Sequence, residues 1–273
     1  LRKVYPFLNK EKYKNLVGFP LAELPAPDGD GSYDQYFLNP FFEALERVGV
    51  YPEVVNNYRF YREGKFEECT KYIVDERETA KEILETISGR QLPRNWFPWT
   101  FKDNDGKLCT GKVIKYDWPH ITFENEKGEE VTNNMAKGEG KLPWRLDWPS
   151  KWKILGVTFE AFGKDHATKG GSYDTGKEII EKILACKVPH HIAYEWINLK
   201  GEGAMHSSTG LAISAEQMLK IAPPEVIRWL IMHPLPNRHI DFDPGIGLLN
   251  SVDKYDRTEQ DYYENKLEEN SAR

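Results

Sequence analysis

The sequence predicts an α/β fold, and two stretches carry that prediction. In the first, the apolar run Ile154-Leu155-Gly156-Val157-Thr158-Phe159 precedes Phe162-Gly163-Lys164-Asp165-His166-Ala167-Thr168-Lys169-Gly170-Gly171-Ser172, and an amphipathic segment over 176–185 follows. A β-branched apolar run, then glycines interleaved with charged residues, then a helical period read as a strand ending in a ligand-binding loop at a helix N-terminus. Open α/β sheets bind nucleotides and small charged molecules at such places. In the second stretch, Tyr194-Glu195-Trp196-Ile197-Asn198-Leu199 reads as a strand and Lys200-Gly201-Glu202-Gly203 as a tight turn. Ala204-Met205-His206-Ser207-Ser208-Thr209-Gly210 then reads as a loop of small residues.

The elements follow in order. Residues 20–31 are too rich in Pro and Gly for an element interior and form a connecting loop. A helix is predicted over 39–48, with Phe42, Leu45 and Val48 on one face, and a strand over 50–58 from its β-branched and aromatic content. Asp75-Glu76-Arg77-Glu78 has capping-box spacing and opens a helix that runs to Ser88 and stops at Gly89. Pro93, Trp96, Phe97, Pro98 and Trp99 mark a boundary. Short β-like runs over 110–116 and 120–124 alternate with turns at Asp105-Gly106 and Lys127-Gly128, a small β-hairpin insert. From residue 141 the strand, loop, helix, strand order matches the second half of a doubly wound nucleotide-binding domain. Ser214-Ala215-Glu216-Gln217 is another capping box, and Pro223-Pro224-Glu225 begins a helix with Val226, Ile227, Leu230 and Ile231 as its apolar positions. Residues 254–273 are charged and poor in apolar side chains, as in a solvated helix or frayed tail.

Composition bounds the function. A chain of 273 residues can bury a sizeable core as one large or two modest domains. Its net charge of −6 gives no general argument for nucleic-acid binding. The three cysteines, Cys69, Cys109 and Cys186, stand far apart, which fits a reducing compartment and makes the cytoplasm the default. No stretch approaches the ~18 apolar residues of a membrane span, and no signal segment opens the chain. The first residue is Leu rather than Met, which fits a chain trimmed or truncated at this end.

Lys141-Leu142-Pro143-Trp144-Arg145-Leu146-Asp147-Trp148, the Gly163-Lys164-Asp165-His166 element, Tyr194-Glu195 and the Met205-His206-Ser207-Ser208 loop share an order and approximate spacing. That order resembles class I lysyl-tRNA synthetases, the archaeal type also found in some bacteria. Leu1-Arg2-Lys3-Val4 also looks like the family's segment just after its first nucleotide-binding half. The resemblance implies the C-terminal part of the catalytic domain or a truncated paralogue. It implies a connective α+β insertion over 1–99, a ribbon-like insert over 100–140, the second half of the Rossmann-like catalytic domain over 141–222, and helices over 223–273 leading to an absent anticodon-side region. ATP with Mg2+ as co-substrate, lysine, tRNA(Lys) and a missing N-terminal catalytic half are the implied partners, with no membrane. In many members the insert resembles a zinc ribbon. Here only Cys109 and His120 remain as soft ligands where a structural zinc wants four, so no zinc is expected.

Lysine activation joins a carboxylate to the α-phosphate of ATP and expels pyrophosphate, so the protein must position both substrates and supply donors where charge accumulates. The resemblance implies a substrate-site, catalytic role for His166, and Ser207 and Ser208 are candidate catalytic donors to phosphate in the loop that takes the place of the family's second signature. The resemblance also implies nucleotide-side roles for Gly163, Lys164, Asp165 and Met205, and lysine-side roles for Trp144, Tyr194 and Glu195. Asp165 could bind the ribose or the substrate ammonium, or equally cap the following helix. An aromatic face suits a lysine stem and its ammonium, which Glu195 would neutralise. A persistent lysine pocket would bring Trp144, His166 and Tyr194 to one cleft. Aligned on Met205 and Gly210, the family's signature lysines face Ala204, Ser207 and Thr209, and Lys200 is the nearest basic residue. The family's first signature, His-Ile-Gly-His, occurs nowhere in the chain. The 273 residues alone are therefore expected to be inactive. Two other readings stand beside the main one: a noncatalytic synthetase-derived binding or regulatory module, and a relative that ligates lysine to another acceptor.

Overall fold

The computed structural model describes residues 1–205 and 213–266. They fall into two units, the first made of Leu1–Val4, Glu11–Leu24 and Val54–Ala193, the second of Tyr5–Lys10, Pro25–Glu53 and Tyr194–Arg273.

After the short α1 (Lys10–Tyr13), α2 (Tyr33–Arg47) begins well before the helix read over 39–48. Pro40 lies inside it. A proline ordinarily marks a helix start, and here that signal conceals the N-terminal half. The strand expected over 50–58 does not form. Asn56 instead caps α3 (Asn57–Arg62) by accepting the Arg59 N–H at 3.0 Å, and this local bond outweighs β propensity. α4 (Glu67–Asp75) ends where the capping box was read, and Glu76 opens α5 (Arg77–Ser88) with no side-chain cap. Gly89, at φ 66°, closes α5 as expected.

β1 (Phe101–Lys102) pairs antiparallel with β2 (Leu108–Cys109). β3 (Gly111–Asp117), β4 (His120–Asn125) and β5 (Glu130–Asn134) form an antiparallel sheet in that order, one strand more than the expected hairpin. Ile121 and Phe123 of β4 are fully buried, and Phe123 stacks on Phe101 with centroids 4.2 Å apart. A Cβ at Gly111 would stand 2.4 Å from the Phe123 ring, so only glycine fits there.

α6 (Trp144–Leu155) absorbs Ile154 and Leu155, which the sequence reading had placed in a strand. Gly156 closes the helix at φ 61°, and β6 (Phe159–Gly163) starts after it. α7 (Ser172–Lys182) follows the glycine-rich loop, and β7 (His190–Tyr194) pairs with β6. The strand read over 194–199 is broken at Glu195-Trp196 and resumes as β8 (Ile197–Leu199). β8 pairs antiparallel with β9 (Gly203–Ala204). α8 (Ala215–Ile221) carries the expected capping box at Ser214 and Gln217, and α9 (Pro224–Met232) has its proline in the first turn. β10 (Ile240–Phe242) runs parallel to β8, and α10 (Ile246–Tyr263) closes the described chain. The α/β class is thus realised with small sheets of two and three strands, of which β10-β8-β9 combines a parallel and an antiparallel pair.

Each unit has its own core. In the second, Ala44 of α2 meets Met218 and Leu219 of α8, with Ile227, Phe242 and Leu248. In the first, Trp148, Trp152, Phe162, Tyr173 and Ile179 join the interior that Tyr61, Phe66 and Ile73 begin. Tyr61 lies flat on Phe66 at 3.8 Å, donates its hydroxyl to Asp147 at 2.7 Å and accepts the Leu142 N–H at 3.1 Å. Burial, and then the Asp147 charge, push the Tyr61 hydroxyl well above its ordinary range.

Tyr61→Phe removes a donor from a buried carboxylate and an acceptor from a buried amide. It is expected to cost about 1.5–3 kcal/mol, read as a lower urea midpoint at unchanged slope. An unchanged midpoint would show that the Asp147 carboxylate does not depend on this hydroxyl.

Candidate functional site

Trp144, Trp148 and Trp152 recur every fourth residue and so share one face of α6. Trp144 and Trp148 stack at 5.3 Å with planes 15° apart, and Trp152 follows at 5.0 Å. Trp148 and Trp152 are buried, whereas Trp144 is 46% exposed. Glu160 of β6 accepts both buried indoles, from Trp148 Nε1 at 3.4 Å and Trp152 Nε1 at 2.9 Å. Phe162, also of β6, meets Trp148 in a T-shaped contact with centroids 5.4 Å apart.

β6 ends at Gly163, and Lys164, Asp165 and His166 leave it in a turn closed by the His166 N–H on the Gly163 carbonyl at 3.0 Å. This seats the His166 imidazole 5.8 Å from Trp144 and 5.4 Å from Trp148. The structure therefore brings Trp144 and His166 together. Trp148, which closes the Lys141–Trp148 motif without an expected role, and Trp152, which lies outside it, complete the aromatic row, and their four-residue spacing from Trp144 is the signal that finds them.

Trp144 is held on several sides. Its Nε1 donates to Ser172 Oγ at 3.2 Å, and Lys151 Nζ lies over its ring at 5.2 Å. Lys151 in turn pairs with buried Asp147 at 2.8 Å.

The glycine-rich loop engages the Gly171 and Tyr173 amides of the α7 N-terminus internally, where the sequence suggests free donors for an anion. Tyr173 N–H donates to the His166 carbonyl, Gly171 N–H to Thr168, and Gly170 N–H to Asp174 Oδ2 at 3.0 Å. Burial pushes the Asp174 carboxyl up, but hydrogen bonds from Lys177 and Gly170 outweigh it and hold the group below its usual range. Arg145 Nη1 ties the loop to α6 by donating to the carbonyls of Gly170 at 3.2 Å and Gly171 at 2.9 Å, and to Thr175 Oγ1 at 3.2 Å. Gly170 sits at φ 74°, where a Cβ would meet the Ile87 carbonyl at 2.6 Å. Asp165 is exposed and lies 3.8 Å from His166 Nε2. Gly171, not Asp165, is the N-cap of α7, so the capping alternative for Asp165 is removed.

Tyr194 ends β7 and opens the second unit, half exposed. Glu195 donates its N–H to the Pro236 carbonyl at 2.8 Å, and its Oε2 lies 3.1 Å from His239 Nδ1. Met205 extends the β8–β9 pairing through its N–H to the Ile197 carbonyl. Lys200, the nearest basic residue to the serine loop, pairs with Asp243 at 2.9 Å, which raises its pKa. Ser207 and Ser208 lie outside the described residues. Among the described residues no group of three or more His, Cys, Asp or Glu could hold a metal ion.

The chain matches the family described as tRNA synthetases class I (K) over residues 1–273. It is 43% identical over 272 residues to the lysine–tRNA ligase of Thermoplasma volcanium, covering 99% of this chain and 54% of that protein. It is 48% identical over 269 residues to lysine–tRNA ligase 1 of Methanosarcina acetivorans, covering 97% and 50%. The chain spans about half the length of the curated relatives it matches. A solved glutamate-tRNA synthetase from Elizabethkingia anophelis is similar at 12% identity and a TM-score of 0.41, over 86% of this chain and 64% of that one. That likeness is too distant to bear on the fold.

Arg145→Ala leaves two loop carbonyls and the Thr175 hydroxyl without their cation. Amide hydrogen exchange across residues 163–171 is expected to quicken by about tenfold while the C-terminal half of α7 stays protected. Equal protection in both proteins would mean that the loop holds its shape without the guanidinium.

Proposed function

The chain belongs to the class I (K) tRNA synthetases, and on that premise we propose that it supplies part of the apparatus by which lysine is activated with ATP and passed to tRNA(Lys). The observation that carries the proposal is the seating of His166 against Trp144 and Trp148 where the chain leaves β6, in a sequence that matches the family throughout. With it goes the assignment of residues 141–222 to the second half of the doubly wound catalytic domain, flanked by a connective insertion over 1–99, the small β insert over 100–140 and a helical connection over 223–273. The N-terminal catalytic half, with the family's first signature, is the partner this reading requires.

In the first unit, His166 is a donor poised at the end of a strand, and Trp144 offers an exposed indole to an alkylammonium chain. Lys151 already makes that contact intramolecularly, its charge balanced by Asp147. Gly163, Lys164 and Asp165 belong to the nucleotide side. The triphosphate fits these residues only in part, because the amides of Gly170, Gly171 and Tyr173 already donate within the loop. ATP supplies the activated phosphate when bound. Mg2+ characteristically keeps several waters and leans on phosphate oxygens, so it needs no dedicated protein cage.

In the second unit, Glu195 supplies a carboxylate for an ammonium, Tyr194 an exposed ring, Met205 a nucleotide-side backbone, and Ser207 and Ser208 donors toward phosphate. No helix among the described residues is long and apolar enough to cross a membrane. A tRNA substrate places the work in the cytoplasm.

Titration calorimetry with lysine and with a nonhydrolysable lysyl-adenylate analogue tests the reading. Trp144→Ala, His166→Ala and Tyr194→Ala are each expected to weaken binding by about tenfold or more. Equal affinity in all four proteins would contradict it.

The 273-residue chain is further expected to catalyse no lysine-dependent exchange of pyrophosphate with ATP. Loss of one well-placed donor costs roughly 10²- to 10³-fold in rate. Here the loop lysines and the first signature are both lacking, and Lys200 is engaged by Asp243. Robust exchange that disappears in His166→Ala would reveal a complete ATP site in the chain.

A further inference from the structure

The first two residues of α7 hold both members of the aromatic site. Ser172 Oγ accepts the Trp144 indole N–H at 3.2 Å, and Tyr173 donates its backbone N–H to the His166 carbonyl at 3.1 Å. Ser172 is 9% exposed, whereas the ring it holds is 46% exposed. Thr175 Oγ1 donates to the Ser172 carbonyl at 2.9 Å, and Arg145 Nη1 to the preceding Gly171 carbonyl at 2.9 Å, so the backbone that carries the hydroxyl is itself anchored. The acceptor is therefore less mobile than the ring it holds.

An exposed indole has two side-chain torsions to lose when a ligand settles on it. The stack on Trp148, with planes 15° apart, sets the tilt of Trp144. A stack is not directional within its own plane, and a hydrogen bond from an edge atom removes that remaining freedom. Nε1 makes this bond. The other two indoles of the row donate to the Glu160 carboxylate, but Trp144 donates to a neutral oxygen. A hydroxyl holds the edge of the ring without a charge that would draw an ammonium away from its face.

We propose that Ser172 is a positioning residue for Trp144, holding the exposed indole in one orientation and thereby raising the affinity of the site for lysine. The inference rests on the reading of Trp144 as a lysine-side group.

The test titrates the full chain with lysine and with the nonhydrolysable lysyl-adenylate analogue, in the wild type, Ser172→Ala, Trp144→Ala and the double variant. Solvent exchange of the Trp144 indole N–H is followed by NMR, its signal being the one that Trp144→Ala lacks. Ordering one such side chain on binding costs a factor of roughly two to twelve, so Ser172→Ala is expected to weaken both ligands about fivefold and to quicken the indole exchange. In the Trp144→Ala background the same substitution is expected to cost nothing further. Affinity unchanged by Ser172→Ala but lowered by Trp144→Ala overturns the role of Ser172 and leaves that of Trp144. Indole exchange unchanged by Ser172→Ala also overturns it, since the hydroxyl then does not hold the ring. An equal loss from Ser172→Ala in both backgrounds overturns it as well and marks a general effect on α7. A wild type that binds neither ligand, or an affinity indifferent to Trp144→Ala, overturns the reading of Trp144 and this inference with it.

Discussion

The buried carboxylate of Asp147 is the constraint on which the first unit depends. A carboxylate only 4% exposed is costly unless its oxygens are matched, and three side chains from two elements do the matching. Tyr61 and Asn57 reach it from α3, and Lys151 from one turn further along α6. These bonds fix the rotation of α6 about its own axis. That rotation decides which face carries the tryptophans inward, where Glu160 can bracket two of them and where His166 comes to rest. Asp147 stands in the chain between Trp144 and Trp148, so satisfying the acid and aiming the indoles are one geometric problem.

The second unit is organised differently. Its short parallel pair, β8 and β10, is reinforced along its length by polar side chains, Asn198 with Asp241 at 2.9 Å and Lys200 with Asp243 at 2.9 Å. Asp243 also accepts the amides of Gly245 and Gly247, which turns the chain into α10. A basic residue that looked available from sequence proximity is therefore part of the scaffold. Sequence distance from a loop says little about whether a charge is already spoken for.

What could be read in advance was local. The Ser214 capping box, the Gly89 stop and the start of α9 at paired prolines each depend on a few neighbouring residues, and each stands as expected. The errors came where a local signal had two meanings. Pro40 reads as a helix start but lies inside α2, and Ile154-Leu155 reads as a strand but ends α6, because the tryptophan stripe pulls the helix through to Gly156. The meeting of Trp144 with His166 was legible as a motif, whereas the loop's use of its own amides was not. Those bonds depend on how the turn folds back against α7, and no residue type announces that. His239 escaped notice for a similar reason, since only the parallel register of β8 and β10 brings it to Glu195.

The tryptophan stripe has a consequence in optical terms. Three indoles spaced 5.0 to 5.3 Å apart, with Tyr173 5.9 Å beyond the last, form a continuous chromophore running from solvent to interior. At such separations excitation hops between rings faster than it is emitted, so the light leaving these three of the eight tryptophans is depolarised by the array as well as by tumbling. Because Glu160 pins the two inner rings and Ser172 the outer one, the transition dipoles hold fixed mutual angles. The exposed end at Trp144 therefore acts as an antenna. A molecule that quenches that one ring also draws excitation from the two behind it.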